Sequence, residues 1–325
     1  MKKRKFGRLN WEVSEIGFGA WAIGGGWGPQ GDGDSVAALH RAIDLGVNFI
    51  DTAQGYGNGH SERLIGQVLR ERSEEIYVAT KTPVTGAGPW PPSPYCRWED
   101  RYPEAYLRKN VEERLQCLGV EALDLLQLHT WTRAWNDDPG PLQILQDLKK
   151  EGKIRAVGVS TPEQDQNSVV QLMREGLVDS VQVIYNIFEQ EPAAQLLPVA
   201  EQCGVAVIVR VAYDEGVLTG KYDGSHQFPD GDFRQGYFAG DRMARAVDRV
   251  DRLKEEFGGL GRSMPELALG FTLAHSAVST VIAGTRTVAQ AESNAAVSNL
   301  TPLDAMMLKK LQAHNWRRGV WYGGK

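Results

Sequence analysis

The sequence predicts an α/β protein that closes into a barrel of eight parallel strands and eight helices, the (β/α)8 or TIM barrel. Strand-like and helix-like segments alternate along its 325 residues. Most strand-like segments are continuous apolar runs, which is typical of strands covered by helices on their outer face. Several runs end in a polar side chain, where a parallel barrel has its active site. We expect residues 1–325 to form a single domain of this kind.

The apolar runs define the predicted strands, which are Glu15–Ala20, Val47–Asp51, Ile76–Thr80, Leu123–Leu128, Ile154–Val159, Ser180–Tyr185, Val205–Arg210 and Thr280–Ala283. The stretches between them define the predicted helices, which are Ser35–Leu45, Glu62–Arg70, Glu104–Leu118, Leu142–Lys150, Gln164–Arg174, Ala193–Gln202, Pro265–Ala274 and Val288–Val297. Eight strands and eight helices in strict alternation favour a closed barrel over an open sheet.

Three segments lie outside this alternation. Lys5–Val13 can form a hairpin around Leu9 and Asn10 that plugs the barrel floor. Thr82–Tyr102 and Lys221–Gly240 are long and follow strands of the barrel. Loops of this length in a compact domain are usually functional or disordered, so we expect both to lie over the C-terminal face.

Composition excludes several classes of protein. The formal net charge of -5 offers no basic surface to nucleic acid. The basic start of the chain is not followed by an apolar segment, and no run approaches the ~18 apolar residues of a membrane span. Cys96, Cys117 and Cys203 lie far apart without metal-binding spacing. We expect reduced thiols, no metal, and a cytoplasmic protein that acts on a small molecule as a monomer or homo-oligomer.

Four polar residues at successive strand ends form a candidate catalytic group, namely Asp51, Tyr56, Lys81 and His129. A tyrosine has a pKa of ~10 and is a weak acid at neutral pH, but a nearby ammonium lowers that pKa. Lys81 can supply the ammonium if a carboxylate keeps it charged, and Asp51 fits that role. His129 can hydrogen-bond a carbonyl oxygen. The group therefore predicts proton donation to a carbonyl that a hydride donor reduces.

The segment from Ile282 to Gln290 joins the last strand to a helix. Thr287 and Gln290 fit a capping box at the helix start. A helix N-terminus suits phosphate, and Arg286 adds a guanidinium beside it. The sequence therefore predicts that the phosphate end of a cofactor binds after the final strand.

A second glycine pattern competes with this prediction. Gly26–Gly31 matches G-x-G-x-x-G, and Asp51 follows about 20 residues later, as in a dinucleotide-binding Rossmann unit. These glycines begin several residues after the first strand, and a Rossmann fold would leave Lys81 and His129 without roles. We interpret Gly24–Gly33 as a loop beside the site.

These residues resemble the aldo-keto reductases, a likeness that extends over nearly the whole chain. The segments that carry it are Ile16–Trp21, Asn48–Ala53 with Tyr56 and Gly57, Ser61 with Glu62, Ala79–Lys81, Leu123–His129, Lys153–Ser160, Gly216–Lys221 and Gly284–Arg286 leading to Asn294. The resemblance is to the bacterial, NADPH-dependent type. It implies a β/α barrel that reduces carbonyls, with Tyr56 as proton donor.

The resemblance also assigns residues to NADPH (NADP+). It implies that Ser160 and Gln182 hold the nicotinamide carboxamide and that Arg210 packs against the nicotinamide ring. It further implies that the adenosine-phosphate end of the cofactor is lined by Gly284, Arg286, Gln290 and Asn294. Trp21 is expected beside both the cofactor and the substrate pocket.

The chain departs from the family pattern at four places. Thr161 stands where an Asn usually follows the Ser, and Gln290 stands where many members have an Arg for the 2′-phosphate. Ser293 replaces a common Glu, and Val211–Asp214 replaces a Pro-Leu segment beside the nicotinamide.

Aromatic residues in the loops predict the substrate pocket. The predicted walls are Trp21, Tyr56, Trp90, Trp98 and Trp131, with Arg133 and Trp316–Tyr322 at the rim. Such faces suit sugars, aryl ketones and steroid-like rings alike.

Three functions remain open from the sequence. The first is an NADPH-dependent reductase of aldehydes or ketones, keto-sugars included. The second is a non-catalytic NADPH-sensing subunit on the same fold. The third is an unrelated barrel lyase or isomerase that uses Lys81 as a Schiff-base amine.

Overall fold

Eight parallel strands close into a barrel in the computed structural model, which describes residues 1–28, 30–319 and 321. The strands are β1 Lys3–Lys5, β2 Glu12–Ser14, β3 Ile16–Gly19, β4 Phe49–Asp51, β5 Tyr77–Thr82, β6 Leu123–Leu128, β7 Ile154–Ser160, β8 Ser180–Ile184, β9 Ala206–Arg210 and β10 Val278–Gly284. Strands β3 to β10 form the barrel in chain order, and β10 closes it against β3. The predicted TIM barrel is confirmed.

Helices surround the barrel. Within the described residues they are α1 Asp32–Asp44, α2 His60–Glu71, α3 Glu104–Leu118, α4 Gly140–Lys150, α5 Val170–Arg174, α6 Leu196–Cys203, α7 Arg234–Tyr237, α8 Arg242–Phe257, α9 Met264–Leu273, α10 Val288–Ala296 and α11 Ala305–Gln312. No helix in this part of the chain is long and apolar enough to cross a membrane.

Two predicted helices are shorter than expected, and three helices were missed. Asp165 has non-helical backbone angles, so Glu163–Val169 is a 3₁₀ segment before α5. Gln195 interrupts the next helix in the same way before α6. Helices α7, α8 and α11 lie outside the strict alternation of one helix per strand; α7 falls within the predicted long segment Lys221–Gly240, and no element was predicted for α8 or α11. Their apolar faces pack onto the existing barrel layer.

The N-terminal hairpin plugs the barrel floor, as predicted. Strands β1 and β2 pair antiparallel, with Arg4 opposite Val13. Phe6 is fully buried, and its ring lies 5.3 Å from that of Phe49 in β4. Phe6 and Val13 belong to a small core cluster with inward-facing side chains of β4 to β7, β9 and β10. The lower end of the barrel is therefore filled with apolar side chains, and the upper end is free for polar ones.

Side chains alternate between the two cores of the barrel. In β5, Tyr77 and Ala79 belong to the inner cluster, and Val78 belongs to the outer cluster that packs on the helices. Because strand side chains alternate with a period of two, the next inward position is Lys81. The same count leads from Phe49 to Asp51 and from Leu125 to Gln127. Apolar residues thus fill the bottom layer, and polar residues follow at the carboxyl ends.

Replacing Phe6 with alanine tests the plug. We expect the free energy of unfolding to fall by about 3–5 kcal/mol because a large buried ring is lost and the closed floor cannot collapse around the cavity. Urea unfolding followed by circular dichroism measures this change. Tyr95→Ala, at a residue that is 95% exposed, serves as control and should shift stability by less than about 0.5 kcal/mol. Equal midpoints for Phe6→Ala and wild type would exclude the plug as a stabilising element.

Candidate active site

Asp51, Tyr56, Lys81 and His129 meet at the upper end of the barrel. The Lys81 ammonium lies 2.5 Å from Asp51 Oδ1, 2.9 Å from the Thr52 carbonyl oxygen and 3.2 Å from the Tyr56 hydroxyl. The rings of Tyr56 and His129 lie edge to face with centroids 6.1 Å apart. The structure brings together the four residues that the sequence singled out.

The ends of the strands position these side chains. The His129 N–H donates to the Thr82 carbonyl at 2.9 Å, which extends the β5–β6 ladder by one residue. The loop that carries Tyr56 is held from below, because the Gln54 N–H donates to the Lys81 carbonyl at 3.2 Å. Asn110 of α3 donates to the Gln54 side chain at 2.7 Å and accepts from Thr82 Oγ1 at 2.7 Å. These bonds fix the loop against the end of β5.

Asp51 is the shared anchor of the group. Its second carboxylate oxygen accepts from Gln182 Nε2 at 2.7 Å and from Gln127 Nε2 at 3.2 Å. Asp51 and Lys81 are almost completely buried, and an unpaired charge at such a site would be costly. These hydrogen bonds give both partners of the buried ion pair the contacts that they need.

Electrostatics favours a charged lysine. Burial by itself would lower the pKa of Lys81, but the opposing effects of Asp51 and Tyr56 are larger, and the net pKa is raised. Lys81 therefore remains an ammonium at neutral pH and donates its protons to three oxygen atoms.

The tyrosine of the group is neutral. Burial raises the pKa of Tyr56, and the lowering effect of Lys81 offsets only part of that rise. The expectation that Lys81 would bring this pKa below its ordinary value is wrong for the net direction. The hydroxyl is thus protonated at neutral pH, which is the form that can donate a proton.

The second hydrogen-bond donor is a neutral histidine. Burial, with a further contribution from Lys81 and Arg210, lowers the pKa of His129 well below its ordinary value. A neutral imidazole offers one N–H donor and one acceptor. The site can therefore hold a carbonyl oxygen between the Tyr56 hydroxyl and an N–H of His129.

A cavity of about 380 Å³ opens above this group. Aromatic side chains form much of its wall, namely Trp21, Trp27, Tyr56 and Trp90. The Trp90 ring meets that of His129 edge to face at 5.4 Å. The Trp21 ring lies 4.6 Å from that of Phe233, which comes from the long segment after β9. Both long loops thus lie over the C-terminal face, as predicted.

Two of the predicted pocket residues lie elsewhere. Trp131 is fully buried, donates to Asn136 Oδ1 at 2.7 Å and packs edge to face on Trp135. Trp98 packs over Gly140 and donates to Asp138 at 2.8 Å. Neither lines the cavity. Both prefer protein partners because an indole N–H that leaves water needs an acceptor.

The predicted rim is also different. Arg133 is exposed and forms an ion pair with Asp165, away from the cavity lining. Trp316 and Trp321 are buried and pack edge to face at 5.2 Å. Tyr322 lies outside the described residues.

Four of the predicted cofactor residues lie on barrel strands at positions that face inward. Ser160, Gln182, Arg210 and Gly284 stand at the upper ends of β7 to β10 and line the cavity together with Trp21. Gln182 directs its amide nitrogen to Asp51, as described above. Its amide donor is therefore directed at the carboxylate rather than at the cavity.

Arg286, Gln290 and Asn294 lie at the next helix. Thr287 caps α10 by accepting from the Gln290 N–H, but the Gln290 side chain accepts from the Arg286 N–H at 2.8 Å. The full capping box is therefore absent. The Arg286 guanidinium donates to Gln30 Oε1 at 2.9 Å and to the Trp27 carbonyl at 3.0 Å. The glycine-rich loop thus lies beside the helix start, and no strand directly precedes it, contrary to a Rossmann fingerprint.

The segment Val211–Gly216 forms the wall next to Arg210 and contains several residues in the left-handed region. Val211, Asp214 and Glu215 have φ values of 56°, 48° and 56°, each of which costs about 1–3 kcal/mol in a non-glycine residue. Asp214 is fully buried and forms a two-pronged ion pair with Arg318, which is bonded in turn to Tyr237. The C-terminal segment thus stabilises a strained part of the wall.

The residues present fit a nicotinamide dinucleotide. The capped start of α10 offers backbone N–H groups and the positive end of a helix dipole. Four buried polar atoms of residues that line the cavity have no partner within the described residues, namely Trp27 Nε1, Thr130 Oγ1, Glu163 Oε2 and Arg210 Nε. Glu163, Glu215 and Trp27 were missed by sequence reasoning, because they lie in loops whose path only the structure gives.

Comparison with known families decides the class of protein. The model of the aldo/keto reductase family matches residues 15–315. The chain belongs to this family. It is therefore an oxidoreductase of the aldo-keto reductase type, a family in which carbonyl reduction is the general activity.

Several relatives of this aldo-keto reductase are known. The NADH-specific methylglyoxal reductase of Escherichia coli (strain K12) is 28% identical over 330 residues, covering 96% of this chain and 98% of that protein. The aldo-keto reductase YhdN of Bacillus subtilis (strain 168) is 30% identical over 302 residues, covering 89% and 86%. The holo structure of the aldo-keto reductase AKR11C1 from Bacillus halodurans superposes with a TM-score of 0.77 at 28% identity over 100% of both chains.

Two tryptophans of one loop offer a matched test of the cavity. Trp90→Ala should raise KM for a carbonyl substrate about tenfold, because the wall beside His129 loses an aromatic face worth roughly 1–2 kcal/mol. Trp98→Ala should leave KM within about twofold, since Trp98 is outside the cavity. Steady-state kinetics of both variants measure the difference. The reverse order of effects would show that the cavity is not where substrate binds.

Proposed function

We propose that this aldo-keto reductase transfers a hydride from NADPH to the carbonyl of an aldehyde or ketone and that Tyr56 donates the proton that completes the alcohol. The Tyr56–Lys81–Asp51 chain carries the proposal, since it places a neutral phenol next to a buried cation. Keto-sugars are among the candidate substrates because both aromatic and polar side chains line the cavity.

The charge state of each residue determines its proposed role in the reaction. Bound reduced nicotinamide supplies the hydride. As negative charge develops on the substrate oxygen, the Tyr56 hydroxyl gives up its proton and the phenolate is stabilised by the ammonium 3.2 Å away. His129 positions the same oxygen as a neutral donor. Asp51 keeps Lys81 charged, so that the stabilising cation is already in place before the reaction.

The reduced cofactor would be held along the upper ends of the last strands. Ser160, Arg210 and Gly284 supply the wall for its nicotinamide half, and Asn294 and Arg286 lie at the phosphate and adenosine end. Gln290 belongs to the same helix start. A guanidinium matches the geometry of a 2′-phosphate, which supports NADPH over NADH.

The alternatives have less support. A Schiff-base amine must be neutral and accessible, whereas Lys81 is fully buried, charged and bonded to three oxygens. A non-catalytic NADPH-sensing subunit has no need for an acid positioned beside a cation. Turnover of a generic aldehyde separates this alternative from the proposed enzyme.

Tyr56→Phe and Lys81→Met test the proton donor. Each should lower kcat at least about 10²-fold, because a positioned acid or its supporting cation is lost. NADPH affinity, measured by quenching of tryptophan fluorescence, should stay within about threefold. More than about a tenth of wild-type turnover in Tyr56→Phe would contradict its role.

Arg286→Leu tests the choice of cofactor. The Kd for NADPH should rise about tenfold or more, because a hydrogen bond to a charged group is worth about 1.5–3 kcal/mol. The Kd for NADH, which lacks the 2′-phosphate, is the internal control and should change little. A wild type that prefers NADH, like the Escherichia coli relative by its name, would overturn this part of the proposal.

A further inference from the structure

Glu163 is a carboxyl group of the cavity wall that the proposed mechanism does not use. It follows Ser160 by three residues and stands at the start of the 3₁₀ segment before α5. It lines the cavity, and its Oε2 atom is buried with no hydrogen-bond partner in the described part of the chain. Native proteins rarely leave a buried polar atom unpaired, so such an atom in a cavity points to a ligand.

Arg210, whose charge acts on Glu163, also has an unpaired atom in the cavity wall. Arg210 donates through Nη2 to the Thr161 carbonyl at 3.1 Å, whereas its Nε atom is buried without a partner among the described residues. Two neighbouring side chains are bonded to protein, namely Gln182, which the family resemblance assigns to the carboxamide, and Thr161, which stands where the family pattern has an Asn. Thr161 Oγ1 donates to the Gln182 carbonyl at 3.0 Å, and Gln182 Nε2 donates to Asp51. In this part of the wall, Glu163 Oε2 and Arg210 Nε are therefore the atoms that can hydrogen-bond a ligand.

Burial and the surrounding charges set the protonation state of the Glu163 carboxyl. Burial raises the pKa of Glu163 to about 8, and Glu215 and Asp214 act in the same direction, whereas Arg210 and Arg318 oppose it. Two positively charged arginines and two acidic side chains therefore surround Glu163, which is itself neutral at pH 7. A neutral carboxyl donates one hydrogen bond, and the Nε–H of Arg210 donates another. Two donors on an electrically balanced wall suit an uncharged ligand oxygen.

We propose that Glu163, together with Arg210, recognises an uncharged amide or hydroxyl oxygen of the bound ligand. This inference rests on the proposed function. The nicotinamide carboxamide is the favoured source of that oxygen, since Ser160 and Thr161 belong to the same turn. A hydroxyl of a polyhydroxylated carbonyl substrate has the same chemistry. Glu163 thereby takes over a contact that Thr161 and Gln182 do not make.

The dependence on pH gives the first test. Ligand binding that requires the protonated carboxyl is retained below pH 8 and lost above it, because the competent fraction falls about tenfold between pH 7 and pH 9. The Kd for NADPH of wild type should therefore rise about tenfold over that range. Tyr56 and His129 do not interfere, since their pKa values are shifted upward and well downward, respectively.

Two variants at the same position complete the test. Glu163→Gln keeps a donor and cannot ionise, so its Kd should match wild type at pH 7 and stay flat to pH 9. Glu163→Leu removes the donor and should raise Kd about tenfold at pH 7.

Glu175→Gln makes the same chemical change at an exposed residue directly after α5 and should behave as wild type. Thermal unfolding checks the fold, and Glu163→Gln should melt no lower than wild type, since a buried carboxyl with a raised pKa destabilises the fold at pH 7.

The outcomes separate the two ligand sources. A change in the Kd for NADPH assigns Glu163 to the nicotinamide half. An unchanged Kd with a substrate KM that follows the same pattern assigns it to a substrate hydroxyl. If neither Kd nor KM depends on residue 163, the inference is wrong, even though the enzyme still reduces carbonyls. A wild type that binds neither NADPH nor NADH would instead overturn the proposed function itself.

Discussion

The ion pair between Asp51 and Lys81 is the interaction on which the rest of the site depends. Both side chains are buried at the upper end of the barrel, where an isolated ammonium would lose its proton. Asp51 prevents this, and Gln127 and Gln182 satisfy its remaining hydrogen-bonding capacity. The lysine can therefore act as a fixed cation beside the Tyr56 hydroxyl. Without the pair, the tyrosine would be one more buried phenol with a raised pKa and no means of stabilising its anion.

The barrel tolerates the cost of burying two charges because it separates apolar layers from the polar layer that contains them. The Phe6 plug and the lower inward positions are apolar, so that the buried charges are confined to one level near the strand ends. Above them, strained backbone at Val211, Asp214 and Glu215 shapes the wall and is balanced by the buried Asp214–Arg318 pair. Stability in the lower half and strain in the upper half are a division expected of β/α barrels, in which function resides at the carboxyl ends.

The fold and the meeting of the four candidate catalytic residues could be predicted because both follow from the period of two in the strands. Counting inward from Phe49, Tyr77 and Leu125 reaches Asp51, Lys81 and, one step beyond the last strand residue, His129. The rest depends on loop paths, which have no such period. Trp90 lines the cavity and Trp98 does not, although both belong to the same proline-rich loop. Glu163 and the net direction of the Tyr56 pKa depend on burial by distant segments, which spacing along the chain does not reveal.

A double-mutant cycle on Asp51 and Lys81 measures the dependence of the site on the ion pair most directly. Asp51→Asn, Lys81→Met and the double variant are compared with wild type through kcat at saturating cofactor and substrate. If Asp51 acts by keeping Lys81 charged, the second substitution adds almost nothing, and the double variant should be about as slow as Lys81→Met alone. Losses that multiply, so that the double variant is slower than either single variant by the full product, would show that the two residues act independently and would contradict the proposed chain from Asp51 through Lys81 to Tyr56.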